Sequence, residues 1–174
     1  MVQLLLDSGV SVRALTHRRH AAATLPANVD VVIGDLTVPA SLDAALRGVS
    51  AVLLVWTVPP ATAPAVIERL ATYGPRVVFL SSPHQTPHPF FQQANPMAVL
   101  HADIERLIAA SGLGATVIRP GMVASNTVAW WAPAMAADSV VHWPYGAAET
   151  APVDDRDAAR RGGEDALSGR TRRR

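Results

Sequence analysis

Five short apolar runs recur along the chain, and polar residues, proline or glycine follow each of them at once. They are VSVRALT, with its core at 11–16, VDVVIGD at 29–35, SAVLLVW at 50–56, RVVFLSS at 76–82 and ATVIRPG at 115–121. Several are apolar nearly throughout, the pattern of strands buried on both faces. Helical stretches lie between them at 39–47, 61–73 and 97–111. Strand and helix in alternation with short connections predict a parallel sheet covered by helices, an α/β fold. Right-handed crossovers make such a sheet doubly wound, and ligands then bind beyond the carboxyl ends of its strands. Polar residues and glycines collect at those ends: residues 16–19, Gly34 and Asp35, residues 57–60, Ser81 and Ser82, and Pro120 and Gly121.

Helix boundaries are legible in places. Pro39 suits a first helical turn, with Ser41 and Asp43 favouring the positive end of the dipole. In the 97–111 stretch Val99, Ile104, Leu107 and Ile108 share a side, and Gly112 stands where a helix stops. Residues 83–96, with four prolines, predict a loop long enough to line a site. Further on, 128–137 reads as a helix and VVHWPYG as a short strand, while DRDAARRGGEDAL reads as a poor helix broken by Gly162 and Gly163.

With 174 residues, 49% of them apolar, the chain is long enough for one domain with a sizeable core. A net charge of +1 argues against nucleic acid or a membrane surface as main partner. The first ten residues lack the basic region of a signal peptide, and their apolar run is too short to span a membrane, so the expected location is cytoplasmic. Six arginines among the last fifteen residues predict a solvated tail, and the expected division is a domain over 1–160 and a disordered arginine-rich tail over 161–174. There is no cysteine and no lysine, which removes thiolate nucleophiles, Schiff-base chemistry and lysine bases. A lysine-free chain rich in Ala, Arg and Pro also suggests a GC-rich bacterial coding sequence.

The order of blocks SVRALTHRR, VDVVIGDLTVPASLDAALRGVSAVLLV, RVVFLSS and ERLIAASGLGATVIRPG resembles the NmrA-like proteins, atypical members of the short-chain dehydrogenase/reductase group with a Rossmann fold. The resemblance covers about residues 1–160 and is most specific in GDLTVPASLDAAL and SGLGATVIRPG. It implies NAD(P) binding and an oxidoreductase-like function, in the first instance NADPH-dependent reduction of a small carbonyl or quinone. A non-catalytic dinucleotide sensor and a remnant without ligand function are the alternatives. By position, Arg13, Arg18 and Arg19 would face the adenosine ribose and favour NADP over NAD, because an arginine fork binds a 2′-phosphate. Asp35 and Leu36 would meet the adenine, although Asp35 also suits a helix cap near Pro39. Thr57, Val58 and Pro59 would line the middle of the cofactor, and Ser81, Ser82, Pro120, Gly121 and Met122 would approach the nicotinamide.

The sequence departs from that family in three places. The family's opening strand and G-x-x-G-x-x-G turn, which bring backbone N–H groups to the pyrophosphate, have no counterpart here. The opening strand is central in the order 3-2-1-4-5-6, so its absence sets VRALT and AVLLVW on either side of an empty slot. Either those two strands close up and pair, or a second copy or partner chain fills the slot, or the fold loses stability. The Tyr-x-x-x-Lys pair of many relatives falls on Met97 and His101. Met97 cannot move a proton, which leaves His101 as the one candidate in an otherwise unassigned catalytic set. The late helix of the family is polar and glycine-broken here, so the chain reads as truncated at both ends. His84 and His88 lie in the proline-rich loop without a carboxylate beside them, and no metal is expected. Trp130, Trp131 and Trp143 are expected to pack rather than to line a pocket.

Overall fold

The computed structural model describes residues 1–83, 95–141, 149 and 151–168. Its strands in chain order are β1 Arg13–Thr16, β2 Asp30–Ile33, β3 Ala51–Val55, β4 Arg76–Leu80 and β5 Ala115–Ile118, each inside a run anticipated from sequence. A short parallel pair, β6 Met122–Val123 and β7 Pro152–Val153, was not anticipated. The helices are α1 Val2–Asp7, α2 Asp43–Leu46, α3 Ala63–Tyr73, α4 Pro96–Ala110, α5 Asn126–Asp138 and α6 Asp155–Leu167. Short 3-10 turns at Arg19–Thr24, Pro39–Leu42 and Pro60–Thr62 complete the connections. VVHWPYG, His84, His88 and Trp143 lie wholly or mostly outside the described residues.

All pairings are parallel, and the fold is a Rossmann-like α/β layering. β4 lies between β3 and β5, and its Val77, Val78 and Phe79 are fully buried, which explains its unbroken apolar run. On one face, α3 presents Ala63, Val66, Ile67 and Leu70 at helical spacing, meeting Leu54 and Trp56 of the β3 segment and Ile104 and Ile108 of α4. α4 starts where Pro96 takes the first helical position and the Asn95 side chain accepts from the amides of Met97 and Ala98. It ends before Gly112, which takes a φ of 75° that a residue with a Cβ rarely adopts.

The opposite face is covered by α6 and α1. Here the structure corrects the sequence reading. Gly162 and Gly163 lie within a continuous helix and are its two buried residues. A Cβ on Gly162 would come within 2.6 Å of Met1 Cε and 3.3 Å of Ile118 Cδ1. The glycines therefore let α6 approach α1 and the sheet closely, a contact that offsets their poor helix propensity. The helix runs to Leu167, so the expected boundary at 160 falls inside it. Trp130 also departs from expectation: it is 47% exposed, on an α5 with no buried residue.

β1 and β2 form one sheet and β3, β4 and β5 another, with no pairing between β1 and β3. The first of the three outcomes foreseen for the slot, closure of the two strands, does not occur. Val12 and Thr16 accept from Asp30 and Gly34 of the β2 segment, so the alternation of a parallel ladder turns the main-chain groups of Leu15 away from β2. Likewise Ser50 accepts from Arg76, which turns Leu53 and Val55 away from β4. Their side chains are exposed too, Leu15 and Leu53 each at 37% and Val55 at 43%. In native-state hydrogen exchange, the amides of Leu15, Leu53 and Val55 should exchange at least tenfold faster than that of Val78. Equal protection of all four would show that the slot is closed.

Candidate functional site

Within each sheet the strands are parallel and end on the same side, and the segments that follow their carboxyl ends, together the rim, carry the expected site residues. After β1, Thr16 Oγ1 accepts from the amide of Arg18 and donates to its carbonyl, both at 3.2 Å, which fixes the turn. Arg18 and Arg19 leave that turn with exposed side chains, and Arg18 Nε donates to His17 Nε2 at 2.9 Å. Two guanidiniums thus stand in solvent at the carboxyl end of β1, where an anionic group on a ligand can be bound bidentately.

Arg13 is elsewhere. It opens β1 at the opposite end, where Nε donates to Asp30 Oδ2 at 2.6 Å. Its Nη1 faces the carbonyls of Ala44, Ala45 and Arg47 at 3.3, 3.2 and 2.8 Å. Arg13 is therefore a cation at the negative C-terminal end of α2, and its expected role at the ribose is corrected.

After β2, Gly34 leaves no room for a side chain, because a Cβ would meet Leu15 Cδ1 at 2.7 Å and the Ser41 carbonyl at 2.9 Å. Ser41 Oγ accepts from the Asp35 amide at 2.8 Å and donates to the Asp35 carbonyl at 3.0 Å, pinning the 34–41 loop. The Asp35 carboxylate accepts from the Thr37 amide at 2.7 Å, so it closes a local turn and does not cap the turn at Pro39. That bond, with a smaller contribution from His17, holds its pKa below the ordinary 3.8. Leu36 is half-buried against the core. After β3, Trp56 Nε1 donates to the Val58 carbonyl at 2.7 Å, leaving Thr57 and Pro59 exposed on the rim.

The rim beyond β4 and β5 is built around α4. Ser82 Oγ and His101 Nδ1 are 2.8 Å apart, and the His101 ring lies 5.8 Å from that of buried Phe79. One helical turn on, Glu105 accepts from Ser81 Oγ at 2.5 Å and from Arg119 Nε at 2.9 Å, and its second oxygen pairs with Arg119 Nη2. Glu105 in turn raises the pKa of Arg119 above its ordinary value. Pro120 and Gly121 carry the chain from β5 to Met122, the first residue of β6. Sequence reasoning missed Glu105 and Arg119. The available signal was the spacing of His101 and Glu105, four residues apart and so on one face of a helix. Met97 is 53% exposed. Among the described residues no group of side chains could hold a metal ion, and two surface depressions lie away from the rim, one beside α1 and the start of β1, the other between α3 and α4.

A doubly wound parallel sheet with its polar rim at the carboxyl ends defines a nucleotide-binding protein of the Rossmann type. Comparison with known proteins narrows the class. A family described as NAD(P)H-binding matches residues 1–132, and the chain belongs to that family. It is 35% identical over 158 residues to the (4-alkanoyl-5-oxo-2,5-dihydrofuran-3-yl)methyl phosphate reductase of Streptomyces griseus, covering 89% of this chain and 54% of that protein. Among solved structures, the NADPH-dependent quinone oxidoreductase of Escherichia coli with NADPH superposes with a TM-score of 0.79 at 24% identity, over 97% of this chain and 60% of that one. Triphenylmethane reductase of Citrobacter sp. with NADP(H) gives 0.63 at 20% identity, over 78% of this chain and 50% of that one. The chain thus spans little more than half the length of these relatives.

The rim fits a dinucleotide unevenly. Exposed arginines, the pinned Asp35 loop and the Ser82–His101 end suit its two extremities. Among the described residues, however, no glycine-rich turn opens a helix to meet the pyrophosphate. Replacing both Arg18 and Arg19 by alanine should weaken NADPH binding about tenfold or more and leave NADH binding nearly unchanged, as read by calorimetry. Arg13→Ala should instead lower stability by about 1–3 kcal/mol, read by urea denaturation, without altering the preference between the two cofactors.

Proposed function

We propose that this chain is an NADP(H)-dependent reductase domain acting on a small carbonyl or quinone compound. The observation that carries the reading is the convergence of five strand ends on one rim in a chain of an NAD(P)H-binding family. Arg18 and Arg19 take the 2′-phosphate at the end of β1, which favours NADP(H) over NAD(H). Asp35 and Leu36 flank the adenine. Thr57, Val58 and Pro59 line the middle, and Ser81, Ser82, Pro120, Gly121 and Met122 surround the reacting end. The reduced nicotinamide, when bound, supplies the hydride. This chain's residues orient the two reactants and shield them from water. The names of the relatives support reduction as the reaction class, since each describes a reductase or an oxidoreductase.

The unpaired edges of β1 and β3 support a second element of the reading, a strand from a second copy or a partner chain that fills the slot between them. Its arrival would slow amide exchange at Leu15 and Leu53.

The test of the reading is NADPH oxidation by the purified chain, followed by the loss of nicotinamide absorbance with a panel of quinones and aldehydes. Turnover with one of them, faster with NADPH than with NADH, is expected. Tight binding of NADPH with no turnover of any acceptor would assign the chain to dinucleotide sensing, and no binding at millimolar cofactor would refute both roles.

A further inference from the structure

Resting on the reductase reading, we propose that Ser82 and His101 form a proton relay. The Ser82 hydroxyl donates to the oxygen of the reduced substrate and takes a replacement proton from His101 Nδ1.

The geometry carries this assignment. Ser82 lies two residues beyond Leu80, the last residue of β4, on the rim where a ligand of a doubly wound sheet binds, and its Oγ lies 2.8 Å from His101 Nδ1. A serine hydroxyl both donates and accepts, so it can partner Nδ1 whether that nitrogen is bare or protonated. The ring therefore keeps its orientation through a proton cycle. Phe79 packs against it from the sheet side, and Glu105, fixed by Ser81 and Arg119, sets the position of α4 against β4 and β5 one turn away. Two polar ties along one helix face hold the relay in register with the strand ends.

Among the described residues, other proton donors are excluded by position or chemistry. The chain has no lysine or cysteine. Tyr73 is the last residue of α3, at its C-terminal end, whereas the rim segment after β3 leads into the helix's start. Glu105 is committed to Arg119, and Asp35 stands at the β2 end of the rim with a lowered pKa. His17 and His20 lie beyond β1, on the side assigned to the adenosine. Among the described residues His101 is the one imidazole at the β4–β5 end of the rim, the side-chain type suited to moving a proton near neutral pH.

The step balances. As the hydride reaches the carbonyl carbon, the C=O π pair moves onto oxygen and a C–H bond forms. That oxygen takes the Ser82 hydroxyl proton, Ser82 takes the Nδ1 proton of the His101 imidazolium, and the neutral imidazole recovers a proton from water. For a quinone the hydride adds to a ring carbon conjugated with the carbonyl, the same proton reaches the carbonyl oxygen, and enolisation of the remaining ketone, with loss of the ring C–H proton to its oxygen through water, completes the hydroquinone. Ser82 is thus the catalytic residue, and His101 acts through it.

The imidazolium is the competent form, so kcat should be full below the pKa of His101 and fall as pH rises through it. In His101→Gln, which can still hydrogen-bond Ser82 but carries no titrating proton, kcat should drop about a hundredfold and that pH limb should vanish. Thermal melting and NADPH affinity should stay near native values. NMR titration of the imidazole in the ligand-free native chain should give a pKa that moves in Ser82→Ala, showing that the two groups are coupled without reference to turnover. A native rate and an unchanged pH limb in His101→Gln, or a His101 pKa indifferent to Ser82→Ala, would overturn the relay and leave the reductase reading standing. Failure of the native chain to oxidise NADPH with any acceptor would overturn both.

Discussion

The fold depends on how its two sheets are held together, since β1 and β3 exchange no backbone hydrogen bonds. α2 is the clamp. Arg13 of β1 binds the carbonyls at the end of α2, and Asp43 at its start pairs with Arg69 of α3 through both carboxylate oxygens. A polar path thus runs from the first sheet through α2 to the helix that packs on the second. Leu42 and Leu46 extend the apolar core along the same path, joining Leu54, Val66 and Phe79 in one cluster. The close approach at Gly34, where Leu15 and Ser41 leave no space for a Cβ, locks the other end of the first sheet to the same connection. Side-chain packing and a few charge-assisted bonds thereby do what a continuous ladder does in an unbroken sheet.

This clamp has a functional consequence, because it ties the β1–β2 pair to the helix that packs on β3, β4 and β5. The rim then offers distinct chemistry at its two extremities. Beyond β1 and β2 stand exposed cations and a loop pinned by Asp35 and Ser41. Beyond β4 and β5 stands a compact polar set, Ser81, Ser82, His101, Glu105 and Arg119, in which each named contact reaches an α4 residue or a strand end. The middle of the rim is plainer, with Thr57 and Pro59 exposed and the Val58 carbonyl occupied by Trp56.

Much of the fold was legible because its strands are short, apolar and punctuated. RVVFL could be placed as a buried strand because a strand covered on both faces has no polar position to alternate with. What escaped depended on contacts between distant segments. Arg13 lies only five residues from Arg18 in sequence, yet a strand of four residues separates the two ends of the sheet, and the pattern VRALTHRR does not show that a helix C-terminus waits beside the first arginine. Gly162 and Gly163 read as helix breakers because local propensity disfavours them, and their packing against Met1 and Ile118 is invisible without the fold. Glu105 and Arg119 lie fourteen residues apart in sequence, and only the return of β5 alongside β4 brings them together. At the site, the positions on the rim were inferred from strand ends and from the family resemblance, whereas the Ser82–His101 contact required the placement of α4.

The proposal that this chain holds a dinucleotide chiefly by its ends is tested most directly by comparing a fragment with the whole. Calorimetric titration with adenosine 2′,5′-bisphosphate and with NADPH measures how much the remainder of the cofactor adds. The account predicts that the fragment binds and that NADPH binds no more than about tenfold tighter, roughly 1.4 kcal/mol. A fragment that fails to bind, or NADPH binding about a thousandfold tighter than the fragment, would contradict it, since the second result requires a strong hold on the pyrophosphate that the rim does not supply.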